Sequence, residues 1–122
     1  MANPVTWFEI IGNDPAALHK FYKDVFDWKL ADPVAEMGNY SMVDNENRGI
    51  GGGIGGAMDG NNRTTVYIEV ADVQASLDKA AANGAAVVMP KMKVMEGVTI
   101  AMFTDPGGNV IGLLEANPNM PA

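Results

Sequence analysis

Two stretches of the chain repeat one plan at an offset of 58 residues. Val5–Ile11 and Thr65–Val70 are short β-like runs, and each leads to an aspartate, Asp14 or Asp72, that opens an amphipathic helix. Three further strand-like segments follow each helix. A duplicated unit restricts architecture more than any single motif, because each copy must bury the same faces in the same way. The repeat predicts an α+β fold of two tandem β-α-β-β-β modules, about 5–56 and 65–115, inside a single domain of 122 residues. Their sheets are expected to form a concave cup, with the functional site in the concavity between the copies.

In the first copy, Asp14 is placed to cap free N–H groups, and Pro15 at the first helical position forfeits no hydrogen bond. Leu18, Phe21, Tyr22 and Val25 then recur at helical spacing, a stripe expected to face a sheet, with His19, Lys20, Lys23 and Asp24 on the other side. Strands are expected at Trp28–Ala31, Asn39–Val43 and the glycine-rich Ile50–Gly56. Asp59-Gly60-Asn61-Asn62 is turn chemistry and marks the boundary between copies. In the second copy, Val66, Ile68 and Val70 alternate with Thr65, Tyr67 and Glu69, the period of a half-buried strand. Asp72 caps a helix striped by Leu77, Ala80 and Ala81 and stopped by Asn83-Gly84. Ala86–Met89, Thr99–Thr104 and Val110–Glu115 complete the copy, with Asp105-Pro106-Gly107-Gly108-Asn109 as the last turn.

Composition excludes several function classes. A formal net charge of −7 repels a phosphate backbone or an anionic bilayer, so neither nucleic acid nor a membrane is expected as a partner. The absence of cysteine removes disulfides, thiolate nucleophiles and thiolate-bound metals. The start MANPVTWFEI has no basic segment followed by an apolar one, and a cytoplasmic location is expected.

The tandem modules, the helix ending Phe21-Tyr22-Lys23-Asp24-Val25-Phe26-Asp27-Trp28 and the closing Asp105-Pro106-Gly107-Gly108-Asn109-Val110-Ile111-Gly112-Leu113 resemble the vicinal oxygen chelate superfamily. That group includes lactoylglutathione lyase, the bleomycin and fosfomycin resistance proteins and ring-cleaving dioxygenases. Trp7-Phe8-Glu9-Ile10 and the Asp-Pro-Gly-Gly-Asn turn bring the chain nearest the lactoylglutathione-lyase-related branch. Asp27 stands where the family usually has glycine, and aspartate tolerates the left-handed backbone that this turn requires.

The resemblance implies four metal-ligand positions facing the cup. Two fall on Trp7 and Thr65 of the first strands, one on Gly112, and the last within Ile50–Gly56. These side chains cannot supply the two or three nitrogen or oxygen ligands that a stable site needs, so neither metal nor cofactor is expected. Parity instead places Trp7 and Glu9, and Thr65, Tyr67 and Glu69, on the faces away from the helices. Trp7, Thr65, Tyr67 and Gly112 are therefore the candidate ligand-binding residues, with the rings as stacking walls. Glu9 and Glu69 are the candidate general bases, against the plainer reading of solvated carboxylates on an open sheet.

Gly51–Gly56 matches G-x-G-x-x-G, but no helix follows it to receive a phosphate; as a strand it is expected to leave the cup floor open. The nine methionines suit either core filling or an adaptable apolar site. Three readings result: a metal-free binder of an apolar or aromatic small molecule, a lyase or isomerase using Glu9 or Glu69, or a vestigial cup in a protein that acts by association. The resemblance also implies a homodimer.

Overall fold

The computed structural model describes residues 2–115. Along them run β1 (Val5–Gly12), α1 (Pro15–Phe26), β2 (Lys29–Leu30), β3 (Ser41–Asp44), β4 (Gly51–Gly56), β5 (Arg63–Val70), α2 (Val73–Ala82), β6 (Ala86–Met95), β7 (Val98–Thr104) and β8 (Val110–Glu115). A single 3-10 turn, Ala35–Met37, lies between β2 and β3. The order is β-α-β-β-β twice, the predicted α+β plan. Among the described residues no helix is long and apolar enough to cross a membrane.

The chain divides inside β5. One unit is Thr6–Thr65; the other is built on the chain from Val66 onward together with the N-terminal residues through Val5. In the first, the strand order is β2-β3-β4-β1, with β1 and β4 parallel and the other pairs antiparallel. In the second it is β5-β8-β7-β6, with β5 and β8 parallel and the other pairs antiparallel. Each parallel pair needs a long crossover, and the helix of each module lies within it.

Local chemistry sets the helix ends. Asp14 Oδ1 accepts from the Ala17 N–H at 3.1 Å, and Asp72 Oδ1 from the Ala75 N–H at 3.0 Å, so each aspartate satisfies an orphan donor of its first turn. Asp27 ends α1 at φ 59°, and its N–H donates to the Lys23 carbonyl at 3.0 Å. The Asp105 carboxylate gathers the last turn, accepting from the backbone N–H groups of Gly107 and Asn109, each at 2.9 Å. The Asn109 side-chain amide, followed by these backbone donors, holds the Asp105 carboxyl below the usual carboxylate range.

The two modules bury their helices differently. In the second, Val70, Val73, Leu77, Ala101 and Leu113 form a closed apolar cluster, with Ile68 and Phe103 packed against it. In the first, α1 has no buried residue, and Phe21, Val25 and Phe26 are each more than half exposed. The predicted stripe is therefore rotated. Leu18, His19 and Tyr22 turn inward, while Phe21 and Val25 face out. The cause is β4, whose helix-side residues are Gly52, Ile54 and Gly56. With so little side chain there, the backbone is reachable, and His19 donates from Nε2 to the Ile54 carbonyl at 3.0 Å. The expectation that His19 lies on the solvent side is corrected by this bond.

Strand β6 is longer than predicted because the strand continues through Pro90. As the edge of its sheet, it needs no second row of N–H donors. Its pairing with β7 is interrupted by register shifts between Val87 and Met89, Met89 and Met92, and Lys93 and Met95. The edge strand β2 is two residues long.

Candidate functional site

Parity is as the alternation predicts. On β1, Phe8 lies over Gly52 on the helix side, where an added Cβ would come within 2.1 Å of its ring. Trp7 lies on the opposite face over its parallel partner Gly51, 2.8 Å from the position of an added Cβ. Glu9 shares the Trp7 face and stands opposite Gly53.

The glycines do not form an open floor. Tyr40 enters from the start of β3 and lays its ring over Gly53 and Gly55, 2.1 and 2.7 Å from where their Cβ atoms would be. Trp7 Nε1 donates to Tyr40 Oη at 3.0 Å, joining the two rings into one half-buried platform. The glycines are thus sites of close approach by rings, and the room expected from sequence is occupied. Tyr40 was not singled out by sequence reasoning. Its alternation with Met42 beside a glycine strand was the available signal.

Glu9 is held by a second residue that sequence reasoning passed over. Arg63 Nη2 lies 3.6 Å from Glu9 Oε1, with side-chain exposures of 31% and 13%. This contact brings the Glu9 face of β1 and the Arg63–Thr65 face of β5 to the same side within the first unit. Arg63 also acts on Asp59, whose carboxyl is lowered chiefly by the Asn61 backbone N–H and further by the Arg63 charge. The period that places Thr65 and Tyr67 on one face extends back to Arg63, had the strand been begun two residues earlier.

Thr65 is 2% exposed, and its hydroxyl has no hydrogen-bond partner. Glu9 and Arg63 are thus brought together in the first unit, and Thr65 follows Arg63 on the same face of β5. In the second unit, Tyr67 is 4% exposed and covers Gly112, its parallel partner, whose added Cβ would fall 2.4 Å from the Tyr67 ring. Gly112 pairs in turn with Met102 of β7. This repeats the Trp7–Gly51 arrangement with a tyrosine. Glu69 is half-buried on the Tyr67 side of β5, and its backbone N–H donates to the Pro4 carbonyl at 2.8 Å.

The positions implied for metal ligands thus carry an indole bonded to a phenol, a threonine, a glycine beneath a tyrosine and a glycine strand. Among the described residues, no three histidine or carboxylate side chains converge. This donor set does not fit a divalent transition metal.

The profile of the Glyoxalase/Bleomycin resistance protein/Dioxygenase superfamily matches residues 5–113. The chain belongs to that superfamily. It is 32% identical over 122 residues to a protein of Mycobacterium tuberculosis (strain CDC 1551 / Oshkosh) named "Putative glyoxylase CFP32", and equally to the protein of that name from Mycobacterium bovis. The match takes in 95% of this chain and 47% of each relative, so the chain spans about half their length. Among solved structures, it is similar to hypothetical protein BH1468 of Bacillus halodurans C-125, with TM-score 0.74, 11% identity and all of both chains covered. It is also similar to methylmalonyl-CoA epimerase of Mycobacterium tuberculosis, with TM-score 0.70, 15% identity and 96% and 90% of the two chains covered. At these identities the structural likeness establishes the fold.

Proposed function

We propose that this chain is a metal-independent small-molecule-binding protein of the glyoxalase and bleomycin-resistance type, which holds an apolar or aromatic ligand against the face carrying Trp7. The observation that carries this reading is the Trp7–Tyr40 hydrogen bond over the glycine strand. It sets a rigid, half-buried aromatic surface where relatives are expected to place a metal ligand, and aromatic rings provide contact area at low entropic cost. The second reading is a lyase or isomerase of the same superfamily using Glu9 or Glu69 as general base. It is supported by the half-buried Glu9 carboxylate beside Arg63 and by a likeness to solved epimerases. The protein acts as a cytoplasmic homodimer in this proposal, and the exposed Phe21, Val25 and Phe26 support association with a second copy.

Native mass spectrometry of protein purified without chelator tests these points together. The expected spectrum shows a dimer without stoichiometric zinc, nickel, iron or manganese, and with a small-molecule adduct that Trp7→Ala loses. Loss of one aromatic wall should weaken binding by roughly 1–3 kcal/mol. Metal retained through dialysis would overturn metal independence, a monomer at micromolar concentration would overturn the dimer, and an adduct unchanged in Trp7→Ala would overturn the site. Conversion of the adduct on incubation would favour the enzyme reading.

A further inference from the structure

Arg63 stands apart from the other basic side chains. The remaining lysines and the other arginine are exposed, whereas Arg63 is half-buried. Its Nε is buried with no hydrogen-bond partner, as is the hydroxyl of Thr65 two residues along the same face of β5. The 3.6 Å approach of Glu9 supplies charge but is too long for a hydrogen bond. Unsatisfied buried donors are costly, and those on a guanidinium especially so. Thr6 and Ser41 also bury unpartnered hydroxyls, but each has parity with the helix side, away from the Trp7 platform.

From this we infer that Arg63 and Thr65 are a recognition pair for the carboxylate of an aromatic monocarboxylic acid whose ring lies against the Trp7–Tyr40 platform. The inference deepens the small-molecule reading and rests on it. A carboxylate is an acceptor-only group, which matches a guanidinium N–H and a hydroxyl acting as donors. Glu9 and Asp59 both lie within the influence of Arg63, and they select against a dianion such as a phosphate monoester. A single negative charge exchanges one ion pair for another on Arg63 and satisfies two donors that are sealed from solvent and have no partner in the chain.

The probes are benzoate and its neutral isostere benzamide, titrated by calorimetry. Benzoate is expected to bind at least about tenfold more tightly than benzamide, in keeping with the greater strength of charge-assisted hydrogen bonds. Arg63→Gln should abolish that preference. Thr65→Val keeps shape and removes the hydroxyl, so it should weaken benzoate about fivefold while the melting temperature stays level or rises, because a buried unsatisfied polar group is gone. If Arg63→Gln does not fold, Thr65→Val alone decides. Equal benzoate affinity in wild type and Thr65→Val overturns the inference. Benzamide binding as well as benzoate, with both lost in Trp7→Ala, overturns the carboxylate pair and leaves the small-molecule reading standing. If neither probe binds the wild type, the pair is overturned and the aromatic-ligand reading fails with it.

Discussion

Leu113→Ala is expected to lower unfolding free energy by about 2–5 kcal/mol, the range for truncating a buried leucine where neighbours cannot close the void. Leu113 is 4% exposed and lies in the cluster with Val70, Val73, Leu77 and Ala101. That cluster is the interface on which α2 rests, so the gap opens beneath the helix. Denaturant unfolding followed by circular dichroism gives the measurement. A loss under about 1 kcal/mol, typical of surface substitutions, would show that the second module does not depend on this cluster. The matching truncation in α1, Phe21→Ala, removes a ring already 52% exposed and serves as the contrast.

Gly53→Ala is expected to cost about 1–3 kcal/mol, an overpacking penalty in a closely filled site. The backbone at Gly53 does not require glycine, since its φ is not in the left-handed region. The obstacle is Tyr40, whose Cζ and Oη would lie 2.1 and 2.2 Å from the new methyl. Tyr40 must swing away, and the hydrogen bond from Trp7 Nε1 goes with it. A double-mutant cycle isolates the cause: in a Tyr40→Ala background, Gly53→Ala should cost almost nothing. An equal cost in both backgrounds would place the strain elsewhere and remove the argument that β4 is glycine for the sake of the rings.

The parts of the fold legible from sequence were those written in local chemistry. Asp14, Asp72 and Asp27 signal helix ends through backbone groups a few residues away, and each does what was expected. Alternation on β1 and β5 correctly separated Phe8 and Val66 from Trp7 and Thr65. What escaped depended on partners distant in the chain. A glycine reveals that a Cβ is missing, but not that Tyr40 fills the place from another strand. Leu18, Phe21, Tyr22 and Val25 make an apolar stripe, yet the direction it faces was set by the bare helix side of β4. Arg63 gained its meaning only from Glu9, 54 positions earlier, as a pairing across strands that local periodicity does not register.

β2 and β6, each at the outer end of its own unit's strand order, constrain how another chain can approach. β2 is too short to guide a newcomer through more than one register step. Along β6, Pro90 offers no N–H, Lys91 and Lys93 bring charge to the rim, and the shifts against β7 break the even spacing that an incoming strand would copy. These are devices against fibril-like growth by strand addition. They leave Val87, Val88 and Met92 exposed as side chains without offering a regular backbone row to template on. A second copy has side-chain surfaces to grip, such as the outer aromatic flank of α1, while β2 and β6 give it no regular margin to extend.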